Sequence, residues 1–306
     1  MKCFHGFRFR AWFLSLLVCG LWQSYATAGT ITFGSGSNQF TMTFVDIGNA
    51  GNADDTTGKP NPAGAVGYAY GLGKYEVSED MITKFNASPS LQITMDNRGV
   101  NQPATGVSWN EAARFTNWLN TSTGGSAAYN FTTSGVNDNI TPWTSANPLD
   151  YDASNPYRSL RATYVLPSMD EWYKAAYYDP NKSGGAGYWD YPNGSDIAPG
   201  AVTSGIDPNT AVYNQTSALR PANVTQAGGQ SPYGIMGLGA NVWEWEETPY
   251  DPKNISASSV RGFRGGLWIG DSSLLSSSIR FNDDPALKDG SIGFRVASLS
   301  SSASVP

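Results

Sequence analysis

Residues 30–47, "TITFGSGSNQFTMTFVDI", alternate apolar and polar positions in two short runs, which predicts a pair of edge strands. A long turn follows at residues 48–67, "GNAGNADDTTGKPNPAGAVG". Asp54 and Asp55 within it read as solvated turn carboxylates, with a cation site as the alternative. In "YAYGLGKYEVSEDMITKFN" a strand turns into a helix; Ser78 is placed to cap it, and Met81, Ile82 and Phe85 share one face. A second helix is clearer. In "SWNEAARFTNWLN", Ser108 and Glu111 have the spacing of a capping box, and Trp109, Ala112, Phe115 and Leu119 recur at helical spacing as core positions. A third helix repeats the device in "LPSMDEWYKAAYY", with Ser168 and Glu171 as the box.

Between these elements the pattern dissolves. Residues 121–160 and 181–232 are rich in Ser, Thr, Asn, Gly and Pro and are predicted to be long loops with little regular structure, either functional surface or excursions. The chain has 34 glycines and 18 prolines, which require many turns; ten tryptophans and 16 tyrosines place much of the burial on large rings. That mixture predicts an irregular, loop-rich α+β domain, not a bundle or a doubly wound sheet.

The N-terminus changes the available chemistry. Lys2, Arg8 and Arg10 precede "AWFLSLLVCGLW", an apolar run too short for the ~20 residues that span a bilayer, and Ala26-Thr27-Ala28 fits a cleavage site. Residues 1–28 are therefore expected to be a secretory leader, and the protein to be secreted, periplasmic or at the cell surface, with no membrane span in the mature chain. A lipoprotein anchor at Cys19 is the alternative. Both cysteines, Cys3 and Cys19, and the only histidine, His5, lie in this segment. From residue 29 onward thiolate and imidazole chemistry are excluded, together with Cys/His zinc sites. Oxygen ligands remain, which suit calcium best. Without the leader, 16 basic residues face 25 acidic ones, a net charge of −9. No basic run interleaves with aromatics, so nucleic acid is not an expected partner.

Six segments then appear in one order: "GKYEVS", "PATGVSWNEAARFTNWLN", "YVLPSMDEWYKAAYY", "GLGANVWEWEET", "RGFRGGLW" and "GFRVAS". Together they resemble the formylglycine-generating enzymes, also called sulfatase-modifying factors. The resemblance implies that family's variant of the C-type lectin fold. It divides the chain into a leader (1–28), N-terminal strands and a turn packed on the main domain (29–65), the sulfatase-modifying-factor-like domain (66–298) and a flexible tail (299–306).

The family's chemistry transfers poorly. Its oxidases bind copper with two cysteines shortly after the Gly-Gly pair; the matching positions are Gly270 and Leu275. The related sulfoxide synthases need a three-histidine iron site. Neither copper nor iron is expected here. One family calcium site would use Glu244 and the carbonyls of Ala240 and Val242, but Gly237 stands where an asparagine ligand is implied. A second offers only Ala211 and Val212. Calcium at Glu244 is an expectation whose alternative is a buried hydrogen bond or ion pair. Arg295 in "GFR" is expected to pair with a buried carboxylate.

The favoured reading is an exported binding or structural module that has kept the fold and lost the oxidase. Its ligand would be a protein, peptide or glycan in a groove near Trp243, Trp268, Asp271 and Arg280, although the two tryptophans serve equally well as core rings. A sulfatase-activating oxidase is the alternative, disfavoured by the missing Cys and His. A hydrolase built on Asp271, Ser272, Ser273, Asp283, Asp284 and Lys288 is the third, with no spacing that fixes a base. The serine-rich end also invites a search for a sorting tail beyond Pro306.

Overall fold

The computed structural model describes Met1 and residues 28–88, 91–250, 256 and 258–299. Cys3, His5 and Cys19, and nearly all of the expected leader and tail, lie outside the described residues.

The elements in chain order are β1 (Ala28–Phe33), β2 (Phe40–Ile47), β3 (Tyr70–Gly73), α1 (Glu79–Asn86), α2 (Trp109–Ser122), β4 (Tyr164–Val165), α3 (Met169–Tyr177) and β5 (Tyr178–Asp179). After them come β6 (Gly187–Tyr188), β7 (Gly200–Ala201), β8 (Thr210–Ala211), β9 (Trp243–Pro249), β10 (Arg261–Arg264), β11 (Phe281–Asp283), β12 (Ile292–Gly293) and β13 (Ala297–Ser298). Two sheets organise the chain. One has the order β1-β2-β3-β13-β4, so the third strand and the last pair directly; the other has the order β11-β10-β9-β12. This is an α+β architecture dominated by loops.

Of the two strands predicted at 30–47, only β1 is an edge; β2 lies between β1 and β3. Phe40, Met42 and Phe44 are buried on one face and Val45 and Ile47 on the other, so the alternation changes phase at Phe44–Val45. There β3 closes the second edge of β2, pairing through Phe44↔Gly73 and Val45↔Leu72.

Helices α1, α2 and α3 begin where their caps place them. The Ser78 side chain accepts from the Met81 amide, and complete capping boxes close Ser108 with Glu111 and Ser168 with Glu171. Each box satisfies amides that the first helical turn otherwise leaves without partners. Along α2 the apolar face meets the first sheet. Phe115 packs on Phe40, Phe85 and Phe294 with centroids 6.1, 5.5 and 5.6 Å apart.

No helix or strand lies between Ser122 and Tyr164, and residues 181–232 contain only the two-residue strands β6, β7 and β8. Asp54 is exposed. Asp55 departs from the solvated reading: it is buried, and its carboxylate accepts from Thr57 N at 2.8 Å and Tyr173 Oη at 2.6 Å. Burial alone would raise its pKa, but these hydrogen bonds outweigh that and leave it below the ordinary value. No helix among the described residues is long and apolar enough to cross a membrane.

Candidate functional site

Strand β9 carries three carboxylates, and all three point into the protein. The Oε1 and Oε2 of Glu244 receive Nη2 and Nε of Arg295 at 2.5 and 2.6 Å, and Trp172 Nε1 adds a hydrogen bond of 2.7 Å to Oε2. Arg295 Nη1 donates to the Gly73 carbonyl, and Nη2 donates to the Met236 carbonyl as well. Glu246 faces Arg264 at 2.8 Å and Arg280 at 2.7 Å. Glu247 takes Arg158 Nε at 2.8 Å, and the same guanidinium grips Glu171 at 2.8 and 2.9 Å. Four arginines thus balance four glutamates, each less than about a tenth exposed.

Such a network is balanced only as a whole. A buried ion is stable only with its partner and its full set of hydrogen bonds. Burial would raise the Glu171 carboxyl, but the Arg158 charge and hydrogen bonds outweigh it and hold the pKa below the usual range. Gly262 makes room for one pair: a Cβ there would stand 2.3 Å from Arg280 Nη2 and 2.5 Å from Glu246 Oε2.

The calcium ligands implied by the resemblance meet this network directly. Both Glu244 oxygens are held by Arg295 and Trp172, and the guanidinium sits where a divalent cation would have to approach. Gly237 supplies no side chain; a Cβ there would meet the Glu76 carboxylate at 2.7 Å. The Ala240 amide donates to Gly265 O at 2.6 Å with the backbone at φ 70°, and Val242 is fully buried. These residues do not fit a calcium ion: the charge one would supply is already provided by Arg295.

The four groove residues do not converge. Trp243 is buried against Phe263 and Phe281, with centroids 5.6 and 5.3 Å away. Trp268 is buried, donates to Leu219 O at 2.9 Å and stacks under Arg98 at 4.9 Å. Arg280 is buried in the network. Asp271 is exposed and caps the 3₁₀ turn Ser272–Leu275, accepting from Ser273 N at 2.8 Å; its bonds to Ser273 lower its pKa. Lys288, the base considered for a hydrolase, is bound to Glu111 at 2.8 Å and to Thr94. Asp283 and Asp284 accept from neighbouring backbone amides of their own turn.

At Gly270 and Leu275, the two positions that the resemblance matches to the oxidase cysteines, the space is filled. Leu275 is fully buried and packs with Ala211 and Ala240. A Cβ on Gly270 would lie 2.6 Å from Leu267 Cδ2 and 2.7 Å from Leu274 Cδ1.

Open surface lies elsewhere. A groove of about 600 Å³ runs between β2, the start of α1 and the loop at 224–225. It adjoins a second cavity of about 550 Å³, and both are lined by Tyr75 and Thr225. Thr41, Asn101 and Thr225 in the first and Gln230 in the second offer polar side chains at its walls. Sequence reasoning missed this groove, because its residues come from widely separated segments without a shared pattern. It also missed most of the ion network, although three glutamates in one strand and arginines crowded into residues 261–295 were a visible signal.

Comparison with known proteins agrees with this architecture. A family model described as the sulfatase-modifying factor enzyme 1-like domain matches residues 30–299. Among solved structures, Treponema denticola variable protein 1 superposes with a TM-score of 0.60 at 20% identity, covering 88% of this chain and 98% of its own. CarF gives 0.54 at 17% identity, covering 89% and 98%. No curated protein matches this sequence.

Proposed function

The chain belongs to the sulfatase-modifying factor enzyme 1-like domain family, and on that premise we propose that it uses the family scaffold as an exported, non-oxidase binding module. The observation that carries this reading is the packing at Gly270 and Leu275. Where the resemblance implies two copper-binding thiolates, there is a glycine hemmed in by leucines and a leucine with no exposure. Saturated carbon offers no soft ligand, and residues 29–306 contain neither cysteine nor histidine to replace one.

In this reading residues 1–28 direct export and are removed. The scaffold then serves as a rigid frame, with the buried ion pairs fixing β9 and β10 and the long loops forming the surface. The groove beside Tyr75 is the face on which a protein, peptide or glycan would dock, since it combines an accessible ring with hydroxyl and amide side chains. The test is co-expression with a peptide carrying a sulfatase-type cysteine motif, followed by mass spectrometry. The expected result is an unmodified cysteine. Conversion to the aldehyde would overturn the reading.

A further inference from the structure

Arg114 stands apart from the other buried arginines. Arg158, Arg264, Arg280 and Arg295 each face a glutamate. Arg261 lacks such a pair, but it is sealed between the Trp109 and Tyr157 rings at 4.2 and 4.3 Å with no exposure. Arg114 projects from α2 with only 8% of its surface exposed. Its guanidinium lies 3.8 Å over the Phe131 ring, and Nη2 donates to Thr133 O at 3.1 Å. Its Nε is buried without a hydrogen-bond partner, and no carboxylate among the described residues lies within ion-pair distance. Burial depresses its pKa, and the charge of Asp138 only partly offsets this. A stacked, desolvated guanidinium with spare donors is a receptor for a planar oxyanion.

A cavity of about 280 Å³ opens beside it, close to the ~300 Å³ lower end of small-molecule sites and enough for one sugar ring. Trp143 and Asn130 line it with Arg114. The half-buried Trp143 ring is anchored by its Nε1 hydrogen bond to Ala128 O at 3.0 Å. Asn117 is tied to the Tyr129 backbone through both ends of its amide, which fixes another wall. The side-chain amide of Asn130 has no partner among the described residues. This cavity shares no lining residue with the Tyr75 groove.

We propose that the Arg114 pocket binds a uronic acid residue, its carboxylate on the Arg114 guanidinium, its ring against Trp143 and a hydroxyl on the Asn130 amide. The proposal is independent of whether the chain is an oxidase, and its test has a separate readout.

The experiment is calorimetric titration of the full chain with methyl β-D-glucuronoside, its 6-methyl ester, methyl β-D-glucoside and benzoate. Saturable binding of the glucuronoside is expected. The ester and the glucoside should bind at least ~10-fold more weakly, the loss of one charge-assisted hydrogen-bonded contact. Arg114→Gln should weaken glucuronoside binding by a similar factor while the melting temperature stays high. Absent glucuronoside binding, ester or glucoside binding of equal strength, benzoate binding as tightly, or a folded Arg114→Gln protein that binds normally would each overturn the proposal. If Arg114→Gln does not fold, the comparison of acid and ester on the unaltered protein decides.

Discussion

At the scale of single residues, the buried charges are the most sensitive positions. Glu76 is fully buried near Arg295 and Glu244, with Oε1 accepting from Asn241 Nδ2 at 2.8 Å and Oε2 without a partner. Burial foremost, opposed by Arg295 and reinforced by Glu244, pushes its pKa up to about 8. The Arg295 guanidinium is bound to Glu244, so the neighbouring buried Glu76 carboxyl holds its proton more tightly. The unfolded chain releases that proton near 4.5. Between these values the folded state binds more protons, so stability falls as pH rises from 4.5 through about 8. Urea titrations should show this slope, and Glu76→Gln should flatten it above pH 6. Asp170, pushed up to about 6 mainly by burial, leaves a residual slope below. An unchanged slope in Glu76→Gln would contradict the assignment. Gly262→Ala forces a methyl between Arg280 and Glu246 and should cost on the order of 3 kcal/mol or more in urea unfolding. Because Arg295 occupies the Glu244 carboxylate, calcium titration should give no heat and no rise in melting temperature; a clear rise would show that the ion displaces the arginine.

At the scale of elements, the sequence was most legible where local chemistry decides the structure. Ser78, Ser108 and Ser168 mark all three helix starts, because a cap is a contact within four residues. Ser108→Ala should lower stability by about 1 kcal/mol, and Ser168→Ala by a comparable amount, measured as a shift of the urea midpoint. Strand β9 was legible only in part. The pairing of Arg295 with a carboxylate could be foreseen from "GFR", but the identity of Glu244 as its partner is a relation across 51 residues. The edge position expected for β2 failed because a short alternating run looks the same at an edge and inside a sheet until its phase shift at Phe44–Val45 is noticed. Trp243 and Trp268 read equally well as surface or core from the sequence, whereas Arg280 reads as a groove residue. Large rings occur in both settings, and only the fold shows that all three are enclosed.

At the scale of the molecule, a family scaffold is joined to a sequence that from residue 29 to 306 contains neither cysteine nor histidine. The chain order of the landmarks survives, and four ion pairs grouped on β9 tie the frame they build. The accessible cavities beside Tyr75 and Arg114 lie where loops meet the outer faces of β2, α1 and α2. What links these observations is that the positions the resemblance matches to the oxidase thiolates, Gly270 and Leu275, are filled by apolar side chains. It is tested most directly by competition titration of residues 29–306 with Cu(I) under oxygen-free conditions. The account predicts that no copper is retained against a competing chelator; one tightly held Cu(I) per chain would contradict it.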